Sequence, residues 1–171
     1  MHQINEPGAP GRKTSVLALV GWILVTFLAP AAGAWSLPGE WYDSLRKPSW
    51  NPPSWIFGPV WTLLYLLMAF AAWRVWRHSG WRQQRGPLTI YLVQLGLNAL
   101  WTPLFFGLHL PGVALIEIVL MWLAIVATIM AFAKVDRPAA WLLAPYLAWV
   151  SFATLLNYSL WQLNMNGAGT P

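Results

Sequence analysis

The stretch PLTIYLVQLGLNALWTPLFF, from Pro87 to Phe106, decides the fold class of this chain because it contains no charged residue. A membrane-spanning helix needs about 20 predominantly apolar residues, and this stretch has that length. Four further stretches of similar character surround it. The five predicted spans run from about 15 to 34, 55 to 76, 87 to 106, 112 to 133 and 139 to 161. The sequence therefore predicts an all-α integral membrane protein, a bundle of five transmembrane helices.

The composition agrees with a membrane protein and excludes other classes. Of the 171 residues, 58% are hydrophobic and 9% are charged, whereas a soluble domain carries roughly 25% charged residues. A soluble fold of this size could not bury so much apolar surface, and disordered chains are poor in apolar residues. The chain has no cysteine, which excludes disulfides, thiol catalysis and cysteine metal sites. Its three histidines fall in the tail and in loops, so we predict no metal site.

The domain organisation is simple. We expect one domain, residues 15–161, between an N-terminal tail (1–14) and a C-terminal tail (162–171) that are mobile ends. The first span leaves an alternative open, because Arg12 and Lys13 precede it and Ala32-Gly33-Ala34 closes it, as in a signal peptide. Its apolar stretch is as long as a full membrane span, which favours a retained helix.

The basic residues predict the orientation. They lie in short loops and form no run or basic helical face, so we expect no nucleic-acid partner. With five spans, eight of them would share one side of the membrane: Arg12, Lys13, Arg74, Arg77, Arg82, Arg85, Lys134 and Arg137. The opposite side would carry Arg46 and Lys47. The positive-inside rule then places the N-terminus in the cytoplasm, and we expect a bacterial cytoplasmic membrane.

Three spans carry aromatic and polar residues at helical spacing, each set on one helix face. The sets are Phe57, Trp61, Tyr65 and Met68; Gln94, Asn98, Trp101, Thr102 and Phe105; and Tyr146, Trp149, Ala153 and Asn157. Asn and Gln are costly against lipid, so these faces should look into the bundle. Two interpretations stay open: an apolar ligand cavity with a few orienting hydrogen bonds, or a packed core in which Asn and Gln link helices.

Conventional catalytic groups are missing from the sequence pattern. No nucleophile–His–acid set, phosphate-binding Gly-rich loop or pair of carboxylates is visible. Glu117 is the one acid deep in a predicted span. An intramembrane carboxylate is either a functional group or one that is protonated or hydrogen-bonded to a neighbouring helix, and both interpretations stay open.

Three motifs carry a resemblance to a known family. The run KPSWNPPSWIFGPVW (Lys47 to Trp61), preceded by WYDSL, resembles the TspO/MBR family, which comprises the tryptophan-rich sensory proteins and the mitochondrial translocator protein, once called the peripheral benzodiazepine receptor. QLGLNALWTPLFFG (Gln94 to Gly107) and PYLAWVSFATLLNYSLW (Pro145 to Trp161) fit the same family in order. The resemblance covers roughly residues 33 to 161.

The resemblance implies a five-helix bundle, often a homodimer, that binds hydrophobic ligands beneath the first loop. These ligands are tetrapyrroles such as protoporphyrin IX and haem, benzodiazepine-type drugs and cholesterol, and no obligatory cofactor is implied. Carried over by motif, the ligand-binding residues are Tyr42, Pro52, Phe57, Trp61, Asn98, Trp101, Thr102, Trp149 and Ala153. The chain departs from the family at Gln162, which stands where the proposed cholesterol motif has a basic residue. That departure argues against sterol binding there.

The function predicted from these residues and the resemblance is a membrane receptor or sensor for tetrapyrroles that regulates tetrapyrrole or stress responses. One alternative is a light- and oxygen-dependent porphyrin-degrading enzyme, in which Trp61 and Trp149 would be the catalytic residues. Another is a tetrapyrrole or sterol transporter. Against transport, the chain lacks an internal repeat and paired intramembrane charges.

Overall fold

The computed structural model describes residues 12–36 and 38–165, and all regular structure within them is helical. The helices are α1 (Arg12–Gly33), α2 (Glu40–Ser44), α3 (Phe57–Thr102), α4 (Pro111–Ala133), α5 (Arg137–Trp141) and α6 (Ala144–Met165). Short turns of 3₁₀ type (Ser54–Ile56) and π type (Pro103–Gly107) flank α3. Four helical segments are long and apolar enough to cross a membrane, α3 being counted as one. The all-α membrane class is thereby confirmed.

The predicted tails fall partly outside the described residues. The structure does not describe residues 1–11 and 166–171. The prediction that both tails are mobile therefore lies mostly outside the described residues. Helix α1 already begins at Arg12, and α6 continues to Met165. The helical boundaries therefore extend a few residues beyond the predicted spans at both ends of the domain.

Helix α3 is two helices joined by a sharp break. A straight helix of 46 residues would be about 69 Å long, more than twice the roughly 30 Å of a bilayer core. The backbone leaves the helical conformation at Ser79 (φ −155°, ψ 19°) and at Gly80 (φ 69°, ψ −175°). Tyr65 and Asn98 would lie about 50 Å apart on a straight helix, yet their side chains form a 2.7 Å hydrogen bond. The two arms, residues 57–78 and 81–102, therefore run side by side.

The break places chain segments at two ends of the bundle. The loop end holds residues 34–36, 38–56 and 103–110, and Arg46 there contacts Asn164 near the end of α6. The Arg-rich end holds residues 74–85 and 133–137, which Arg74 and Asp136 join. The second and third predicted spans correspond to the two arms of α3, and the fourth corresponds to α4.

The fifth predicted span, 139–161, lies within one apolar helical segment, Arg137–Met165, that is long enough to cross a membrane. A turn at Leu142 and Leu143 interrupts its hydrogen-bond pattern between α5 and α6, although the backbone of Leu142 keeps helical dihedral angles (φ −63°, ψ −20°). Pro145 explains the interruption, because proline lacks an N–H and its ring clashes with the carbonyl four residues earlier, here that of Trp141. Starting α6 at Ala144 puts Pro145 in the first turn, where a missing N–H costs nothing.

Helix α1 packs closely against both arms of α3. A Cβ on Gly33 would lie 2.9 Å from Cβ of Thr102, so a glycine is needed where the two backbones approach. Deeper in the bundle, the hydroxyls of Thr26 and Tyr91 lie 2.6 Å apart, and Trp73 Nε1 donates to the Ser15 carbonyl over 2.7 Å. These contacts make α1 part of the helical bundle.

One ion pair clamps the Arg-rich end. Arg74 donates to both carboxylate oxygens of Asp136, Nε to Oδ2 over 2.8 Å and an Nη to Oδ1 over 3.2 Å. His78 Nε2 lies 3.6 Å from the same carboxylate. Burial disfavours the Asp136 carboxylate, but the hydrogen bonds and charge of Arg74 outweigh this and hold its pKa below the usual value. The pair ties the first arm of α3 to the connection between α4 and α5.

The first prediction concerns the break in α3. Gly80→Ala should lower the free energy of unfolding by about 1–3 kcal/mol, because an L side chain is strained at this positive φ. The measurement is an SDS titration of the purified protein followed by circular dichroism. Gly86→Ala is the matched control, since a Cβ there also meets no neighbouring atom, and it should be neutral or slightly stabilising. Equal effects of both variants would contradict a role for the Gly80 backbone.

The second prediction concerns the Arg74–Asp136 pair. Asp136→Asn should lower the free energy of unfolding by about 2 kcal/mol at pH 7, because charge-assisted hydrogen bonds to Arg74 are lost. A lowered carboxyl pKa contributes stability above the ordinary Asp pKa of about 4, and that contribution is lost as the pH falls through the lower folded-state pKa. Unfolding titrations of wild type and variant should therefore converge in acid. Asp43→Asn, at an exposed carboxylate of α2, should change little at any pH.

Candidate ligand-binding site

Three of the predicted ligand-binding residues meet where the first arm of α3 faces α6. The rings of Phe57 and Trp149 pack edge to face with centroids 5.8 Å apart. One helical turn below Phe57, the ring of Trp61 stacks on Tyr65 at 5.4 Å and meets the edge of Tyr146 at 6.2 Å. We call Phe57, Trp61 and Trp149 the aromatic site. All three are half-buried, and they lie along the same contact between the first arm of α3 and α6.

A buried chain of hydrogen bonds lies behind the aromatic site. The Tyr65 hydroxyl donates to Asn98 Oδ1 over 2.7 Å, Asn98 Nδ2 donates to the Tyr146 hydroxyl over 3.1 Å, and that hydroxyl donates to Gln94 Oε1 over 3.0 Å. These hydrogen bonds join both arms of α3 to α6. The Asn and Gln side chains therefore link helices, as one of the two sequence interpretations expects, and they form the polar floor of the aromatic site.

A second aromatic group lies under the first loop. Tyr42 on α2 packs its ring against the edges of Phe105 and Phe106, at 6.4 and 5.3 Å. The ring of Trp101 stacks on Phe105 at 4.9 Å, and its indole N–H donates to Asn157 Oδ1 over 3.1 Å. Trp101 also packs against the main core cluster. Two predicted site residues, Tyr42 and Trp101, thus pack against the same ring, that of Phe105.

The first loop is tied down at several points. The Tyr42 hydroxyl donates to Asn51 Oδ1 over 3.3 Å, and the Lys47 ammonium lies 4.7 Å from the centre of the Tyr42 ring. Burial raises the pKa of the Tyr42 phenol, although the bond to Asn51 opposes this. At the far end of the chain, Asn164 accepts from the Arg46 amide and donates to the Arg46 carbonyl, both at 3.0 Å. The loop is therefore fastened across the end of α6.

The remaining predicted site residues occupy different positions. Pro52 lies in the first loop, half-buried, where its carbonyl accepts from Asn51 Nδ2 over 3.1 Å. Ala153 lies one turn beyond Trp149 and packs against the main core. Thr102 packs against Gly33 of α1. This contact lies between α1 and α3 and not in the aromatic site.

Three buried polar groups in this region have no hydrogen-bond partner among the described residues. They are the indole N–H of Trp149 in the aromatic site, the Nε2 amide group of Gln94 behind it, and the carboxyl of Glu117. Glu117 lies one turn before Met121, whose sulfur is 3.6 Å from the Tyr146 hydroxyl. An unpaired buried donor costs about 1–3 kcal/mol. A ligand acceptor that hydrogen-bonds to the Trp149 N–H would remove this cost and so gain binding free energy.

Several residues that shape the site are absent from the ligand-binding residues predicted from the sequence. Tyr65 and Tyr146 follow the helical spacing of Trp61 and Trp149, so the periodicity signalled their faces, but their hydroxyl partners needed the fold. Asn164 carried no signal, because its partner Arg46 is 118 residues away.

The pattern of the TspO/MBR family matches residues 14–162, which includes every helix that builds the site. The chain belongs to the TspO/MBR family. Membership together with the long apolar helices makes it an integral membrane protein.

Curated relatives of the family are similar over most of the chain. The tryptophan-rich protein TspO of Chlorobaculum tepidum is 48% identical over 74% of this chain and 82% of its own length. The tryptophan-rich sensory protein of Cereibacter sphaeroides is 47% identical, covering 85% of this chain and 94% of its own. The translocator protein of Bos taurus is 44% identical, covering 85% and 89%. The resemblance read from the three motifs is thereby confirmed.

The third prediction tests the fastening of the first loop. In Asn164→Ala the Arg46 amide should exchange its hydrogen about fivefold faster, because a bond worth about 1 kcal/mol is lost. Hydrogen–deuterium exchange of a peptide covering residues 42–50 measures this. Gln162→Ala, an exposed neighbour on the same turn, should leave the exchange unchanged. Unaltered exchange in Asn164→Ala would show that the loop is held by other contacts.

Proposed function

We propose that this TspO/MBR protein is a membrane receptor or sensor that binds tetrapyrroles, such as protoporphyrin IX or haem, at the aromatic site. The observation that carries the proposal is the buried indole N–H of Trp149, which has no partner among the described residues and belongs to a ring that packs edge to face with Phe57. A flat macrocycle offers a large aromatic surface for stacking, and its carboxylates or other polar edges offer acceptors for that N–H. The relatives named sensory protein and translocator protein support a receptor role.

The chemistry of the surrounding residues fits this ligand class. An aromatic lining with few polar groups is what a site for a hydrophobic small molecule requires. The Tyr65–Asn98–Tyr146 bonds hold the floor, while the half-buried rings of Trp61 and Trp149 can turn to admit a planar ligand between them. The described lining offers no histidine, so stacking and hydrogen bonds, and not iron ligation, are the proposed source of affinity.

The proposed topology has five membrane crossings: α1, the two arms of α3, α4 and α6. Six basic residues lie at the Arg-rich end: Arg74, Arg77, Arg82, Arg85, Lys134 and Arg137. The loop end carries Arg46 and Lys47 together with the acids Glu40 and Asp43. The positive-inside rule then puts the Arg-rich end in the cytoplasm and the first loop on the opposite side. The proposed location is a bacterial cytoplasmic membrane.

The fourth prediction tests the receptor. Protoporphyrin IX titrated in the dark into the detergent-solubilised protein should quench Trp fluorescence saturably. Trp61→Phe and Trp149→Phe should each weaken binding about threefold to tenfold, because each reduces the stacking surface and the second also removes the N–H donor. Trp141→Phe is the matched control, since that ring is 76% exposed on α5 at the Arg-rich end, and its affinity should equal wild type.

The outcomes separate the receptor from other roles. Linear quenching that is equal in all four proteins would mean that the macrocycle only partitions into the micelle, and the proposal would fail. Saturable dark binding with unchanged ligand under light and oxygen supports a receptor. A new absorbing species that requires light, oxygen and Trp61 or Trp149 would instead establish the porphyrin-degrading enzyme. Movement of the ligand across sealed vesicles would establish a transporter.

A further inference from the structure

A groove lies on the outer surface of the bundle, beside the first half of α1. It lies between α1 and the two arms of α3, close to the break at Ser79 and Gly80, and has a volume of about 320 Å³. Its walls are apolar: Ala18, Gly21, Trp22, Val25, Trp76 and Trp81. The rings of Trp22 and Trp81 stack with centroids 6.4 Å apart at one side of it. None of these residues belongs to the aromatic site.

The groove lies beside a concentration of positive charge. Arg77 follows Trp76, and Arg82 follows Trp81, so both tryptophans of the bend carry an arginine as next neighbour. Arg85 stands four residues after Trp81 and shares its helix face. All three arginines are exposed, and within residues 12–36 and 38–165 none of them forms an ion pair.

The acidic groups that could neutralise this charge are already engaged or distant. Of the described acids, Asp136 alone lies at the Arg-rich end, and it is paired with Arg74. Glu40 and Asp43 lie at the loop end, and Glu117 is buried inside the bundle. The exposed arginines are therefore available to an anion from outside the chain.

We propose that this groove binds one anionic phospholipid, with an acyl chain between Trp22, Trp76 and Trp81 and the phosphate held by Arg82 and Arg85. Arginine binds phosphate with paired, charge-assisted hydrogen bonds. Basic pockets between membrane helices on the cytoplasmic side suit anionic head groups. Tryptophan suits the boundary between acyl chains and head groups, where one part of the ring is apolar and the N–H is wet.

The same phosphate chemistry could come from a soluble anion, but the groove favours a lipid. A free phosphate would use the arginines and leave the three tryptophans without a role. A lipid uses both, because its acyl chain fills the apolar walls while its head group reaches the arginines. The arginine Arg77 is held differently, with its guanidinium 4.6 Å from the centre of the Trp73 ring, so we assign the phosphate contact to Arg82 and Arg85.

The experiment is a lipid titration of the delipidated full-length protein, followed by native mass spectrometry, with phosphatidylglycerol and phosphatidylcholine of identical acyl chains. Wild type should prefer phosphatidylglycerol. Arg82→Gln with Arg85→Gln should weaken phosphatidylglycerol about 25-fold, since each arginine near the surface contributes about fivefold, and should leave phosphatidylcholine unchanged. Gly21→Leu should weaken both lipids, because Gly21 lines the groove and a Cβ there meets no protein atom within 4 Å, so that the added side chain takes space the acyl chain needs.

Matched controls make the result specific. Arg46→Gln removes one charge at the loop end, and Gly96→Leu adds a side chain at another open glycine outside the groove; both should bind like wild type. Excess inorganic phosphate at constant ionic strength should not displace the lipid. Equal affinity of wild type for the two lipids, wild-type binding by the double arginine variant or by folded Gly21→Leu, or displacement by inorganic phosphate would each overturn the proposal. The double arginine variant alters no packed residue, so the test stands even if Gly21→Leu fails to fold.

Discussion

A series of buried hydrogen bonds fixes the axial positions of the two arms of α3 and of α6 relative to one another. It runs from Tyr65 through Asn98 and Tyr146 to Gln94. Apolar side chains alone select a register poorly in a membrane, because lipid tails are as apolar as a neighbouring helix. Sliding one helix by a turn moves its residues by about 5.4 Å and would break these bonds. Trp61 lies one turn from Tyr65 and Trp149 one turn from Tyr146, so the same bonds position the aromatic site.

The two ends of the bundle differ in chemistry. Because the chain reverses direction at Gly80, the arginines around this break lie at one end and the first loop lies at the other. The loop end has balanced charges, stacked aromatic rings and a first loop fastened by Asn164. The opposite end has exposed arginines and a single described acid, which one arginine already holds. The proposed ligand site and the proposed lipid site do not overlap, since they use different helix faces and different ends of the bundle.

The sequence predicted correctly those features that depend only on residues close together in the chain. Apolar runs predicted α1 and α4 to within a few residues, because a helix in hydrocarbon satisfies its own backbone hydrogen bonds. The fifth span falls within the segment Arg137–Met165, but the apolar run did not indicate the turn at Leu142 and Leu143, which follows from the steric rule for Pro145. Periodicity correctly grouped Phe57 with Trp61 on one face, yet it also grouped Thr102 with Asn98, although Thr102 packs against Gly33 of α1.

The sequence by itself determined the membrane class, the number and order of apolar stretches, and the family, because these depend on composition and on motifs of neighbouring residues. Tertiary structure decided which of the candidate residues meet. The 33-residue separation of Tyr65 and Asn98 and the 118-residue separation of Arg46 and Asn164 carry no pattern that a linear chain reveals. The first contact forms because the chain reverses direction at Ser79 and Gly80 within α3, and the second forms because α6 ends beside the first loop.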